Sequence, residues 1–270
     1  MLNFQDYPKL ESNDIRLIGQ RAQDGVKSQL LVIQTPFGYR RVAEFFIPEV
    51  EMNLAAILYL HWYEPASPDS NRSQFVEEAK EMARSGAACL LVETLWSDPD
   101  FFLKRTQAED LQNSWEEVVN IRRAIDLLLS QPGVEAGRFG LVGHDFGGMY
   151  GVLAGSLDQR PTHYVIMAAT PRFPDWYLYS PKLEGEAREG FIRQFAPLDP
   201  INHVQSLSPA PVLFQCGTDD PHVPRERAQE FYETARQPKE LKWYESGHGL
   251  NAEATTDRKG WLMEKLGLQE

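Results

Sequence analysis

Short apolar runs alternate along the chain with longer stretches whose apolar residues recur every three or four positions. Residues 55–60, Ala-Ala-Ile-Leu-Tyr-Leu, are apolar throughout, the pattern of a strand buried on both faces. Residues 87–92, 138–142, 164–168, 212–216 and 241–244 predict further strands. Between them, Phe75, Val76, Ala79, Met82 and Ala83 follow helical spacing and predict a helix from Asn71 that Gly86 ends. Leu111, Trp115, Val118, Ala124 and Ile125 line one side of a longer helix, about 110–130, stopped by Pro132-Gly133. Helices are also expected at 146–157, 225–235 and 257–265. Nearer the start, 28–34 and 39–47 flank Thr35-Pro36-Phe37-Gly38, which reads as an antiparallel hairpin at a sheet edge.

Strands alternating with helices predict an α/β fold, a mostly parallel central sheet covered on both faces. Residues 1–270 read as one domain, with a short helical, aromatic, cap-like insert at about 170–206. Ligands of such sheets bind outside the carboxyl ends of the strands, so the chemistry is sought in the loops that follow them.

Three of those loops carry reactive residue types. The run Gly143-His144-Asp145-Phe146-Gly147-Gly148 takes a strand directly into a helix. In a nucleophile elbow of this form the central residue, here Asp145, stands on a sharp turn above the sheet. The second loop, Gly217-Thr218-Asp219-Asp220-Pro221-His222-Val223-Pro224, ends a buried strand with two adjacent carboxylates, either able to orient a histidine. The third, Glu245-Ser246-Gly247-His248-Gly249, sets a histidine between glycines after a strand. Nucleophile, acid, histidine is the chain order of the α/β-hydrolase triad.

On these residues the sequence resembles the α/β-hydrolase superfamily over nearly the whole chain after about Ser28. It is most similar to the dienelactone-hydrolase and prolyl-oligopeptidase-like branches, through Gly217-x-x-Asp220-x-x-Val223-Pro224 and Gly247-His248-Gly249. The resemblance implies Asp220 as the acid and His248 as the base. It departs at position 145, where those branches have serine or cysteine. The Gly-His-Asp-x-Gly-Gly run resembles haloalkane dehalogenases and epoxide hydrolases instead, whose aspartate attacks a saturated carbon before histidine-activated water cleaves the resulting ester. A carboxylate is ionised near neutral pH and needs no base to become a nucleophile, whereas its attack on an ordinary ester would form an anhydride.

The other features follow from that resemblance. Dehalogenases of this kind often have tryptophan or arginine after the nucleophile; here it is Phe146. Epoxide hydrolases use cap tyrosines, for which Tyr177 and Tyr179 in the insert are candidates. His61-Trp62-Tyr63-Glu64-Pro65 stands where a His-Gly turn is expected, so the amides of Trp62 or Tyr63, with that of Phe146, are the candidate oxyanion hole. His61 is expected to support that loop and His144 to pack beneath the elbow. Glu93, Thr94, Trp96 and Asp98 are candidate pocket wall, and His163, His203 and His222 show no metal-ligand spacing. The predicted function is hydrolysis of a small organic substrate by Asp145, His248 and Asp220, with no cofactor and no metal. The alternative is an esterase-like scaffold, altered at position 145, that binds a ligand or partner.

Composition narrows the partners. A net charge of −12 argues against a broad basic face for nucleic acid or an anionic membrane. Cys89 and Cys216 fall inside apolar strands and read as small buried hydrophobes. Residues 1–6 lack the charged-then-apolar order of a signal peptide, and no apolar run reaches spanning length; a cytoplasmic location is the expectation.

Overall fold

The computed structural model describes residues 6–49 and 53–269; residues 1–5, part of the N-terminal segment read above, lie outside the described residues. Among the described residues, nine strands form one sheet in the order β1-β2-β3-β5-β4-β6-β7-β8-β9. β1 (Ile15–Gln23), β2 (Val26–Gln34) and β3 (Arg40–Pro48) run antiparallel, and β3 pairs antiparallel with β5 (Ala87–Val92). From β5 through β4 (Leu54–Leu60), β6 (Val134–His144), β7 (His163–Met167), β8 (Val212–Gly217) and β9 (Lys239–Tyr244) every pairing is parallel.

Alternation along β4 divides the core. Leu54, Ala56, Leu58 and Leu60 face one layer, with α3 (Gln107–Leu129) and α4 (Phe146–Leu157). Ala55, Ile57 and Tyr59 face the other, with α1 (Val76–Arg84) and α8 (Ala252–Leu266). Both faces of a strand buried this way must be apolar, which is why 55–60 reads as an unbroken run. The chain leaves β4 for β5 on one side and then crosses to β6 on the other. β4 and β6 therefore flank a topological switch point, where a crevice opens above the carboxyl ends.

The remaining helices are α2 (Phe101–Lys104), α5 (Pro174–Tyr177), α6 (Gly185–Phe195) and α7 (Arg225–Thr234). α5, α6 and three 3-10 turns occupy the segment between β7 and β8. Three expectations change. The hairpin is not the edge: β1, exposed along nearly its whole length, lies outside it. α1 begins at Val76 rather than Asn71, because Ser70 and Asn71 take positive φ and Asp69 accepts the amides of Asn71 and Ser73, holding a turn there. α8 begins at Ala252 rather than Asp257, because Asn251 caps it there, its side chain accepting the amide of Ala254. Cys89 and Cys216 are buried and free.

Candidate active site

Asp145 sits between the last residue of β6 and the first of α4 with φ 55° and ψ −119°. This left-handed conformation costs a residue with a Cβ of order 1–3 kcal/mol, so the surroundings must impose it. They do so through close backbone approach: a Cβ on Gly143 would run into the Gly147 carbonyl, and one on Gly147 into the Leu60 carbonyl. The Asp145 amide donates to Met167 O at 2.8 Å, locking the elbow to β7.

The three residue types expected from separate loops meet here. His248 Nδ1 lies 2.8 Å from Asp220 Oδ2, and His248 Nε2 lies 3.9 Å from Asp145 Oδ2. The first is a charge-assisted hydrogen bond; the second is an ion-pair contact, too long for a hydrogen bond. Asp220, not Asp219, reaches the histidine; its Oδ1 also accepts the amides of His222 and Val223 at 2.8 and 3.1 Å. Asp145 is 0% exposed and His248 7%. Both carboxylate oxygens of Asp145 and the Nε2 of His248 are buried without a hydrogen-bond partner among the protein's own groups.

These surroundings set the charges. Burial pushes the Asp145 carboxyl up, against the pull of His248 and of the backbone amides of Phe146 and Tyr63 that lie against it. Burial opposes the His248 imidazolium, but Asp145 and Asp220 on either side outweigh it and hold its pKa at about 9. Burial also opposes ionisation of Asp220, and there His248 and the two amides win, leaving it below the usual carboxylate value.

A model of the dienelactone hydrolase family matches residues 103–260, more than half the chain and inclusive of all three residues. The chain belongs to the dienelactone hydrolase family. It is thereby an α/β-hydrolase, of a family that hydrolyses ester bonds. Solved structures carry the same fold. An acetyl xylan esterase from a Paenibacillus species superposes with a TM-score of 0.75 at 17% identity, covering 93% of this chain and 88% of that one. Acetyl xylan esterase 1 from a Thermoanaerobacterium species gives 0.74 at 15%, covering 93% and 87%. An α/β-hydrolase from a Penicillium species gives 0.66 at 17%, covering 89% and 99%. No curated protein sequence matches the chain.

Around the Asp145 turn the other expected residues sort themselves. The amide of Trp62, a candidate hole donor, is committed to Gln74 Oε1 at 3.2 Å; the amides left facing Asp145 are those of Tyr63 and Phe146. The Trp62 ring instead stacks on His248 at 4.9 Å. His61 braces the loop: its ring meets Ser97 Oγ and Thr94 Oγ1 at 2.8 and 2.9 Å, and its carbonyl accepts the Trp96 indole. Burial holds its pKa at about 4, so it is a neutral support. Thr94 and Trp96 therefore buttress that loop, while Glu93 accepts the Val42 amide and Asp98 pairs with Lys104.

The tyrosines of the insert are not poised as donors. The Tyr177 hydroxyl is held 2.7 Å from that of Tyr150, within 3.4 Å of Ser114 Oγ, and Tyr179 is 62% exposed. What the insert does supply is Trp176, 5.7 Å from both the Phe146 and His248 rings. With Tyr63, Phe101 and Phe102 packed edge-on to one another, it encloses the elbow in aromatic surface. Gln74 has no counterpart in the sequence reading, because a lone amide at a helix start carries no motif.

Proposed function

We propose that the ester bond this enzyme hydrolyses is one it forms itself. In this reading Asp145 attacks a saturated carbon of a small apolar substrate, and His248, oriented by Asp220, activates the water that cleaves the resulting Asp145 ester. The observation that carries it is the Asp145 carboxylate: buried, unpartnered at both oxygens, faced by two backbone amides, with an imidazole nitrogen 3.9 Å away. A carboxylate stripped of hydrogen bonds in low dielectric is a strong nucleophile. The chain 1–270 acts as one catalytic unit, with about 170–206 as a short cap supplying Trp176.

In the first step an Asp145 oxygen forms a bond to carbon, and the leaving group departs with the electron pair of the bond that breaks. Asp145 is then a neutral ester. His248 has lost one of the two charges that hold its proton, so it releases that proton and becomes a base. It takes a proton from water, and the hydroxide adds to Cγ of Asp145. The oxyanion that forms is Asp145's own oxygen, beside the amides of Tyr63 and Phe146. Collapse breaks the bond from Cγ to the alkyl oxygen, the alcohol leaves with a proton from His248, and Asp145 returns as a carboxylate once its proton is lost. With Tyr177 and Tyr179 of the insert not poised to protonate an epoxide oxygen, a carbon–halogen bond, whose leaving group departs as an anion, is the favoured substrate class.

Replacing His248 by glutamine blocks the second half of the reaction only. Incubated with a short bromoalkane, the His248→Gln protein is expected to gain the mass of the alkyl group on the peptide containing Asp145. The native protein is expected to release bromide continuously. No adduct and no turnover with bromoalkanes, epoxides and aryl esters would leave the fold as a ligand-binding scaffold.

A further inference from the structure

We propose that Gln74 is a positioning residue that fixes the oxyanion loop and the His248 turn relative to the elbow, and so controls hydrolysis of the covalent ester rather than its formation. The inference rests on the reading of Asp145 as nucleophile.

Three hydrogen bonds link three loops. The Gln74 side chain lies 3.2 Å from the Trp62 amide and 2.7 Å from His144 Nδ1, and His144 Nε2 lies 2.9 Å from the His248 carbonyl. The direction of each follows from donor counting. The His248 carbonyl can only accept, so His144 Nε2 carries a hydrogen. His144 is fully buried; burial, then the neighbouring His248, keep it well below the usual imidazole value and hence neutral. A neutral imidazole with hydrogen on Nε2 has a bare Nδ1, so Gln74 must donate from Nε2. Its Oε1 is then turned to the Trp62 amide, which donates. Every member has one role, and the Gln74 amide supplies the donor and the acceptor together without a change of protonation.

Each end of the chain of bonds adjoins a working group. Trp62 precedes Tyr63, whose amide faces Asp145; His144 precedes Asp145; and the accepting carbonyl belongs to His248 itself. The Trp62 ring, stacked on His144 and His248 at 4.9 Å each, fills the space between. Gln74 is in turn held by Phe75, packed 4.9 Å from Tyr59, and by the Asp69 turn before it. Attack on substrate needs the Asp145 carboxylate alone, whereas breakdown of the ester needs the Tyr63 amide and His248 in register.

The test follows alkylation and hydrolysis of Asp145 separately, by rapid quench and peptide mass after mixing with a short bromoalkane. Gln74→Met keeps the length and removes both hydrogen bonds. It should slow ester breakdown by about tenfold to a hundredfold, the effect of losing a buried hydrogen bond at the reacting groups, leave alkylation little changed, and so accumulate the adduct. Gln74→Glu keeps the acceptor for Trp62 but offers no donor to His144 until the carboxyl or the imidazole takes up a proton. Its breakdown rate relative to the native enzyme should therefore rise as pH falls. Equal slowing of both steps, or of neither, together with a pH-independent Glu-to-native ratio, would overturn the inference. The His248→Gln protein separates the two readings: adduct there without accumulation in Gln74→Met sinks the role of Gln74 alone, and no adduct there sinks both.

Discussion

The Asp145 carboxylate is buried, backbone-strained and without a hydrogen bond, and burial by itself drives it towards the neutral acid. The His248 imidazolium is also disfavoured by burial, and each ion is tolerated because the other is there. Two consequences are measurable. Asp145→Asn removes one of the two charges flanking the imidazole, so the His248 pKa should fall below about 9 in an NMR titration of its ring; a value unmoved near 9 would mean that Asp220 suffices alone. The same shift ties stability to pH. Below the ordinary imidazole value, 6.5, native and unfolded chains both hold the proton and the contribution is fully present. Between 6.5 and about 9 only the native chain holds it, so this contribution declines as pH rises and is gone above about 9. Thermal midpoints should therefore fall from pH 7 to pH 10, and more gently in His248→Gln.

At the scale of elements, the elbow is a turn whose glycines are required by approach rather than by flexibility. Gly147→Ala would drive a methyl group into the Leu60 carbonyl. It should cost roughly 3 kcal/mol, the upper range for overpacking a tight site, read as a drop in the urea midpoint. The elbow, the acid loop and the histidine turn were legible in the sequence because each is a local strand-to-loop pattern with a fixed residue type. β5 and α4 were legible to the residue, being apolar and bounded by glycine or by the elbow. β1 was not: it is exposed along nearly its whole length, with Leu17 and Ile18 adjacent instead of alternating, so it has no buried period to read. Nor was the choice between the Trp62 and Tyr63 amides, which depends on Gln74, twelve residues away and near only in space.

Over the whole molecule, the site stands at the switch point between β4 and β6, and the helix layer beside it is tied by Glu78 of α1 and Arg258 of α8. That pair is buried, bonded at 3.1 and 2.5 Å, with Gln215 of β8 accepting a third hydrogen bond at 3.0 Å. Glu78→Gln would leave the guanidinium buried without its counter-charge and should cost about 3–5 kcal/mol in denaturant unfolding. Alkylation of Asp145 at temperatures where the variant stays folded should be unaffected. The ion pair thus braces the layer that carries Gln74, and in the proposed mechanism the reaction itself turns on one residue, Asp145. The most direct test of that proposed role is a single turnover in heavy-oxygen water, with enzyme in excess over a bromoalkane it hydrolyses. If the ester forms on Asp145, the first alcohol released carries ordinary oxygen from the protein, and the heavy isotope appears in the peptide containing Asp145. Heavy oxygen in that first alcohol, with none in the peptide, would contradict the account.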